Sequence, residues 1–102
     1  MVVYHNEYKL DVIMLKLRSK VVCVNGRRTS MRMCAKEWNA FDEVCKKENI
    51  SKTKLLGLIE KYKKDTFGLT YSTRLFILSY FRLASLDNKN NLEEIIASLL
   101  ED

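Results

Sequence analysis

The 102-residue sequence contains no proline and only three glycines. Few positions oblige the backbone to break, so helix is expected over most of the chain. Histidine is nearly missing too: His5 stands alone near the N-terminus. The three cysteines, Cys23, Cys34 and Cys45, form no Cys-x-x-Cys pair. A zinc centre needs about four clustered ligands, so neither a metal site nor a cofactor is expected. An odd number of cysteines flanked by apolar or small residues points to buried free thiols in a reducing cytoplasm. No stretch reaches the ~18 apolar residues of a membrane helix, and MVVYHNEYKLD lacks the basic start and apolar run of a signal peptide. There is no Gly-rich phosphate loop and no nucleophile set beside a base in sequence. An enzyme, a membrane partner and a small-molecule partner are therefore not expected.

What remains is ordinary globular material, 47% apolar and 30% charged. A core built from so short a chain is thin, and a second copy would help to cover it. The net charge of +5 is not spread evenly. Between Val12 and Lys36 lie seven basic residues (Lys16, Arg18, Lys20, Arg27, Arg28, Arg32, Lys36) and no acidic one. The rest of the chain holds eleven basic against thirteen acidic residues. The positive excess thus belongs to one segment. It is either a solvated face or a surface for a polyanion.

That segment contains SKVVCVNGRRTSMRM, and Asn25-Gly26 between two runs of β-formers is a strong hairpin signal. A two-residue turn sets the register: Val24 opposite Arg27, Cys23 opposite Arg28, Val22 opposite Thr29, Val21 opposite Ser30. One face then carries Val22, Val24, Thr29, Met31 and Met33. The other carries Arg28, Ser30 and Arg32, with Ser19, Val21 and Cys23 beside them. Turn chemistry and hydrophobic alternation agree.

The residues up to 17 are ambiguous: Tyr8, Val12 and Leu15 recur at helical spacing, and an arm that orders on contact fits equally well. After the hairpin, AKEWNAFDEVCKKEN places Trp38, Phe41 and Val44 or Cys45 on one helical stripe, and Asn49-Ile50 ends it. Ser51 is an expected N-cap for KTKLLGLIEKYKK, whose Leu55, Leu58, Ile59 and Tyr62 share a face. DTFGLTYS reads as a connector. STRLFILSYFRLAS is apolar almost all round, which suits a helix buried on several sides at the centre of a dimer. LDNKNN is a polar linker, and LEEIIASLLED a short amphipathic helix with Leu92, Ile95, Ile96, Leu99 and Leu100 inward.

A strand, an amphipathic helix and a second helix opened by serine follow one another in the order of the ribbon-helix-helix DNA-binding superfamily. GRRTSMRM, Trp38, ISKTKLLGLI and STRLFILSYFR together resemble a bacterial ribbon-helix-helix domain family, over roughly Lys20 to Arg82. Its pattern runs Gly-His/Arg-Arg-Thr-Ser-x-Arg-Leu, a helical Trp, a Ser-opened helix, and Ser-x-x-x-Arg-x-Phe-x-Leu-x-Tyr-Phe-Arg.

The resemblance implies a mainly α fold with a small β-ribbon: a ribbon-helix-helix dimer with an N-terminal hairpin strand and extra C-terminal helices. The expected division is an arm over 1–17, the domain with its third helix over 18–84, and a linker with a short helix over 85–102. In this superfamily two chains pair one strand each into an antiparallel ribbon that lies in the major groove of double-stranded DNA. Carried over, Arg28, Ser30 and Arg32 would contact bases. Arginine suits guanine through its paired donors, and serine can donate or accept. Ser51, Lys52 and Thr53 at the second helix start would hold a phosphate, with Lys20 and Arg27 nearby. Lys52 and Lys54 in a first helical turn oppose the helix dipole, a conflict that a bound phosphate would reverse. The dimer core would draw on Met31, Met33, Trp38, Phe41, Leu55, Leu75, Phe76 and Leu78.

One geometric difficulty attends the hairpin. Pairing 27–33 with a two-fold mate while 19–24 flanks it gives a sheet roughly 14 Å across its backbones, against a groove about 12 Å wide. The outer strands must then twist away, with Arg18 and Lys20 reaching flanking phosphates. The expectation is a homodimeric, sequence-specific DNA-binding protein of the bacterial cytoplasm, a transcriptional regulator, with higher oligomers on DNA as a further option. The alternative is a protein-interaction or scaffold module on the same dimer fold, with an antitoxin-like regulator between the two. A helix-turn-helix fits less well, because the basic excess lies on the strands.

Overall fold

At Asn25 and Gly26 the chain reverses with φ of +50° and +79°. Positive values at both central positions are those of a type I′ turn, whose twist matches that of the strands it joins. In the computed structural model, which describes residues 17–85 and 91–100, this turn links strand β1 (Leu17–Val24) to strand β2 (Arg27–Cys34). The two pair antiparallel without a bulge, from Val24↔Arg27 to Leu17↔Cys34. The register is the one the turn predicts. Val24, Met31 and Met33 are buried and Val22 and Thr29 half-buried, while Val21, Cys23, Arg28, Ser30 and Arg32 are exposed.

Helix α1 (Ala35–Glu48) follows β2 directly and buries Trp38, Phe41 and Val44. It starts at an electrostatic junction. Glu37 Oε1 accepts from the Cys34 N–H at 2.9 Å, and its Oε2 lies 2.7 Å from Arg74 Nε on a later helix. Burial alone would raise the Glu37 carboxyl. The Cys34 N–H and Arg74 outweigh it and hold the group below the ordinary carboxylate range. Asn49, left-handed at φ +52°, closes α1, with the Ile50 N–H bonding back to the Cys45 carbonyl.

Helix α2 (Lys52–Tyr62) is capped by Ser51, whose Oγ accepts from the Lys54 N–H at 3.1 Å. It packs beneath β1 and buries Leu56 beside the expected Leu55 and Ile59. Helix α3 (Leu69–Ser85) begins earlier than expected and takes in part of the presumed connector. It lies across α1 and α2, burying Thr73, Phe76, Ile77 and Tyr80. The Tyr80 hydroxyl donates to Glu48 Oε2 at 2.7 Å; burial first, then this bond, push its pKa up to about 12. Helix α4 (Leu92–Ala97), extended by a 3₁₀ turn over Ser98–Leu100, folds back on α2 and α3 and buries Ile95, Ile96 and Leu99.

Three expectations need correction or limit. The thiols are not uniformly buried: Cys23 is exposed because its strand position points outward, and Cys34 and Cys45 are half-buried. Helix α3 is not covered all round by its own chain, and Leu75 and Leu78, expected in a core shared with a second copy, are left partly and largely open. Leu75 is half-buried and Leu78 is 64% exposed, since two residues past Phe76 a helix has turned about 200° from the packed stripe. The other expected core residues, Met31, Met33, Trp38, Phe41, Leu55 and Phe76, are all buried in the single chain. The arm with Tyr8, Val12 and Leu15, apart from Leu17 in β1, lies outside the described residues, as does the linker except for Asn91.

Two stability measurements follow. Phe41 is fully enclosed, so Phe41→Ala is expected to cost about 3–5 kcal/mol in urea unfolding compared at equal protein concentration. For Glu37 the folded carboxyl lies below its unfolded value, so its contribution is complete above about pH 4.3 and is lost as pH falls through the folded value. Wild-type stability should therefore drop more steeply on acidification than that of Glu37→Gln.

Candidate nucleic-acid interface

Strand alternation places Arg28, Ser30 and Arg32 in a row on the outer face of β2, with Cys23, Val21 and Ser19 of β1 alongside. All six are exposed. The helices pack behind the opposite face, so the row stands clear of the core. Ser19 Oγ and Ser30 Oγ lie 2.7 Å apart, a diagonal hydrogen bond across the two strands.

Four basic residues off this face have carboxylate partners. Arg27 pairs with Glu60 at 3.3 Å, Lys52 with Asp42 at 3.1 Å, Lys47 with Glu43 at 3.6 Å, and Arg74 with Glu37 at 2.7 Å. Among the described residues Arg28 and Arg32 have no carboxylate within ion-pair distance. Two uncompensated guanidinium groups four residues apart on a strand, with a hydroxyl between them, can present donors to an anionic or acceptor-rich surface.

The hairpin also leaves one side of β2 open. In a two-residue hairpin the closing pair exchanges both backbone bonds, and the pattern alternates from there. The N–H and C=O groups of Arg28, Ser30 and Arg32 therefore point away from β1, and no other strand is present among the described residues. A two-fold mate added at this edge would pair like parity with like parity. Both copies of the row would then share one face.

The residues expected to hold phosphate are only partly assembled. Ser51, Lys52 and Thr53 are exposed at the start of α2, with Ser51 Oγ engaged by the Lys54 N–H and Lys52 by Asp42. Arg27, tied to Glu60, sits where the hairpin tip approaches α2. A Cβ on Gly57 would stand 3.0 Å from Asn25 Oδ1, which places the Asn25 side chain close over the α2 backbone. Lys20 belongs to the inner parity. Its Nζ lies 4.9 Å from the centre of the Trp38 ring, and Trp38 Nε1 donates to the Arg18 carbonyl at 2.9 Å. The structure thus brings Arg28, Ser30 and Arg32 together, sets Ser51, Lys52 and Thr53 at a second place, and turns Lys20 away from the outer row.

Sequence reasoning missed Ser19 as the partner of Ser30, and Asp42 and Glu60 as partners of Lys52 and Arg27. The first was accessible from the register, because Ser19 is opposite Arg32 and so diagonal to Ser30. The other two depend on packing between elements distant in sequence.

A family model described as a ribbon-helix-helix domain matches residues 17–81, from the start of β1 to near the end of α3. No curated protein and no solved structure matches the chain.

The Ser51 cap is expected to hold α2 in the absence of any ligand. Ser51→Ala should cost about 1 kcal/mol in urea unfolding, and Ser51→Asp should retain most of the wild-type stability.

Proposed function

The chain belongs to the ribbon-helix-helix family, and from that premise we propose that it is a homodimeric, sequence-specific DNA-binding protein acting as a bacterial transcriptional regulator. Proteins of this family are typically DNA-binding transcription regulators or antitoxins. The observation that carries the reading for this chain is the outer row of β2, where Arg28 and Arg32 are exposed without a carboxylate partner among the described residues.

In this reading, two copies join at the open edge of β2 and the paired strands enter the major groove of double-stranded DNA. Each arginine offers its fork to guanine O6 and N7, and Ser30 meets a neighbouring base edge. The β1 strands, at roughly 14 Å separation, lie over the rims of a groove about 12 Å wide. Their outer residues Ser19, Val21 and Cys23 then face the walls of the groove, while Lys20 stays on Trp38. Ser51, Lys52 and Thr53 are the proposed seat of a flanking phosphate, and Lys52 would exchange Asp42 for it. Arg27 would make a similar exchange with Glu60. The action is binding rather than catalysis, and its place is the cytoplasm.

A second reading, a protein-interaction module on the same fold, is favoured by Tyr71 and Leu78, exposed seven residues apart on one side of α3. The C-terminal helix lends it no support, because Ile95, Ile96 and Leu99 are turned into the chain's own core.

Binding of the purified protein to duplex DNA, compared at low and moderate salt, tests the proposal. Affinity should fall steeply with salt as phosphate contacts release counterions. Arg28→Ala/Arg32→Ala should weaken specific binding at least about 100-fold while the fold and oligomeric state are retained. Equal binding by wild type and this variant would reject the outer row as the reading surface.

A further inference from the structure

The outer face of β1 holds a residue that acts on β2. Ser30 carries one hydroxyl, which has one proton to donate and two lone pairs to accept with. Val21, directly opposite, has no polar side-chain atom, and Ser19, on the diagonal, has its Oγ 2.7 Å from Ser30 Oγ. Both serines are exposed and both strands are regular, so the hydroxyls meet without backbone distortion. This is the one hydrogen bond that the Ser30 side chain makes among the described residues.

We propose that Ser19 is a positioning residue that holds the Ser30 hydroxyl in one rotamer and so sharpens the base preference of Ser30. The inference rests on the outer row of β2 reading DNA. If Ser30 donates to Ser19, only its lone pairs face outward, and it selects a base edge with an amino group, adenine N6 or cytosine N4. If Ser19 donates, Ser30 keeps its proton for an acceptor such as guanine O6, adenine N7 or thymine O4. An unheld hydroxyl rotates and accommodates either kind of edge. In free solution water competes for both oxygens, and the bond matters little. Once a duplex covers the face, water is displaced and a wrongly directed hydroxyl leaves a polar group unpaired. Ser19 therefore acts on discrimination between bases rather than on attraction to DNA.

The test is a base-preference profile of the full chain, selected from a randomised duplex library, with affinity for non-specific duplex and its salt slope measured alongside. Ser19→Ala should reduce the preference at one base pair per half-site by about three- to ten-fold. Its salt slope and thermal midpoint should remain those of wild type, since no charge is removed and the bond matters little in free solution. Ser30→Ala should flatten the same position, and Ser19→Ala/Ser30→Ala should be no flatter than Ser30→Ala alone. Ser19→Thr, which restores a hydroxyl on a good strand former, should recover the preference. A wild-type preference for guanine or thymine, which offer only acceptors in the major groove, identifies Ser19 as the donor, whereas adenine carries both kinds of edge and serves either arrangement. If Ser30→Ala flattens a position and Ser19→Ala leaves it unchanged, the positioning role is overturned and the DNA-reading proposal survives. If neither Ser30→Ala nor Arg28→Ala/Arg32→Ala alters binding or preference, both are overturned together.

Discussion

The two-residue turn at Asn25-Gly26 is the constraint on which the rest depends. Closing the hairpin with no spare residue fixes the parity of sixteen strand positions at once, because side chains alternate with a period of two. A slip of one residue would carry Met31 and Met33 into solvent and turn Arg28 and Arg32 against Trp38 and Phe41. Burying two unpaired guanidinium groups is far costlier than leaving them in water. The turn chemistry and the cost of the wrong parity favour the same register, and helices α1 to α3 then pack against the face so defined.

The second organising feature is the distribution of charge compensation. Around the core, cations are met by carboxylates that bridge elements: Arg74 to Glu37 joins α3 to the start of α1, Lys52 to Asp42 joins α2 to α1, and Arg27 to Glu60 ties the hairpin to α2. These pairs are partly exposed and each contributes modestly to stability. Their effect on function lies in what they omit. They omit the outer row of β2, where Arg28 and Arg32, like Arg18, Lys36 and Lys46 among others, have no carboxylate partner among the described residues. A cationic row of this kind attracts anions over about a Debye length, roughly 8–10 Å at physiological salt.

Much of this was legible in the sequence where the determining interactions are local. Asn25-Gly26 announces its own turn, Ser51 its own cap, and the 38/41/44 stripe its own helix, because each depends on residues within one or two turns. The parity of Arg28, Ser30 and Arg32 was legible for the same reason. Less was legible where elements far apart meet. The exposure of Leu78 depends on which stripe of α3 meets α1 and α2, and an almost uniformly apolar helix does not encode that choice. Lys20 illustrates the point more sharply: its charge suggests a solvent-facing role, yet strand parity and the Trp38 ring hold it inward. Leu56 was missed because a helix that packs under both a strand and another helix buries a wider arc than a single stripe.

The open edge of β2 bears on how such a protein tells itself from its relatives. Backbone N–H and C=O groups are the same in every chain, so an edge that offers them welcomes any strand of matching length and twist. It supplies affinity without identity. Discrimination between a copy of this chain and a sister protein in the same cell has to come from side chains that the edge does not contain. Tyr71 and Leu78 of α3 are exposed apolar groups away from the strands that are able to supply it. If copies pair at this edge, a few changes on a helix would suffice to separate one partner from another, leaving the outer row of β2 unchanged.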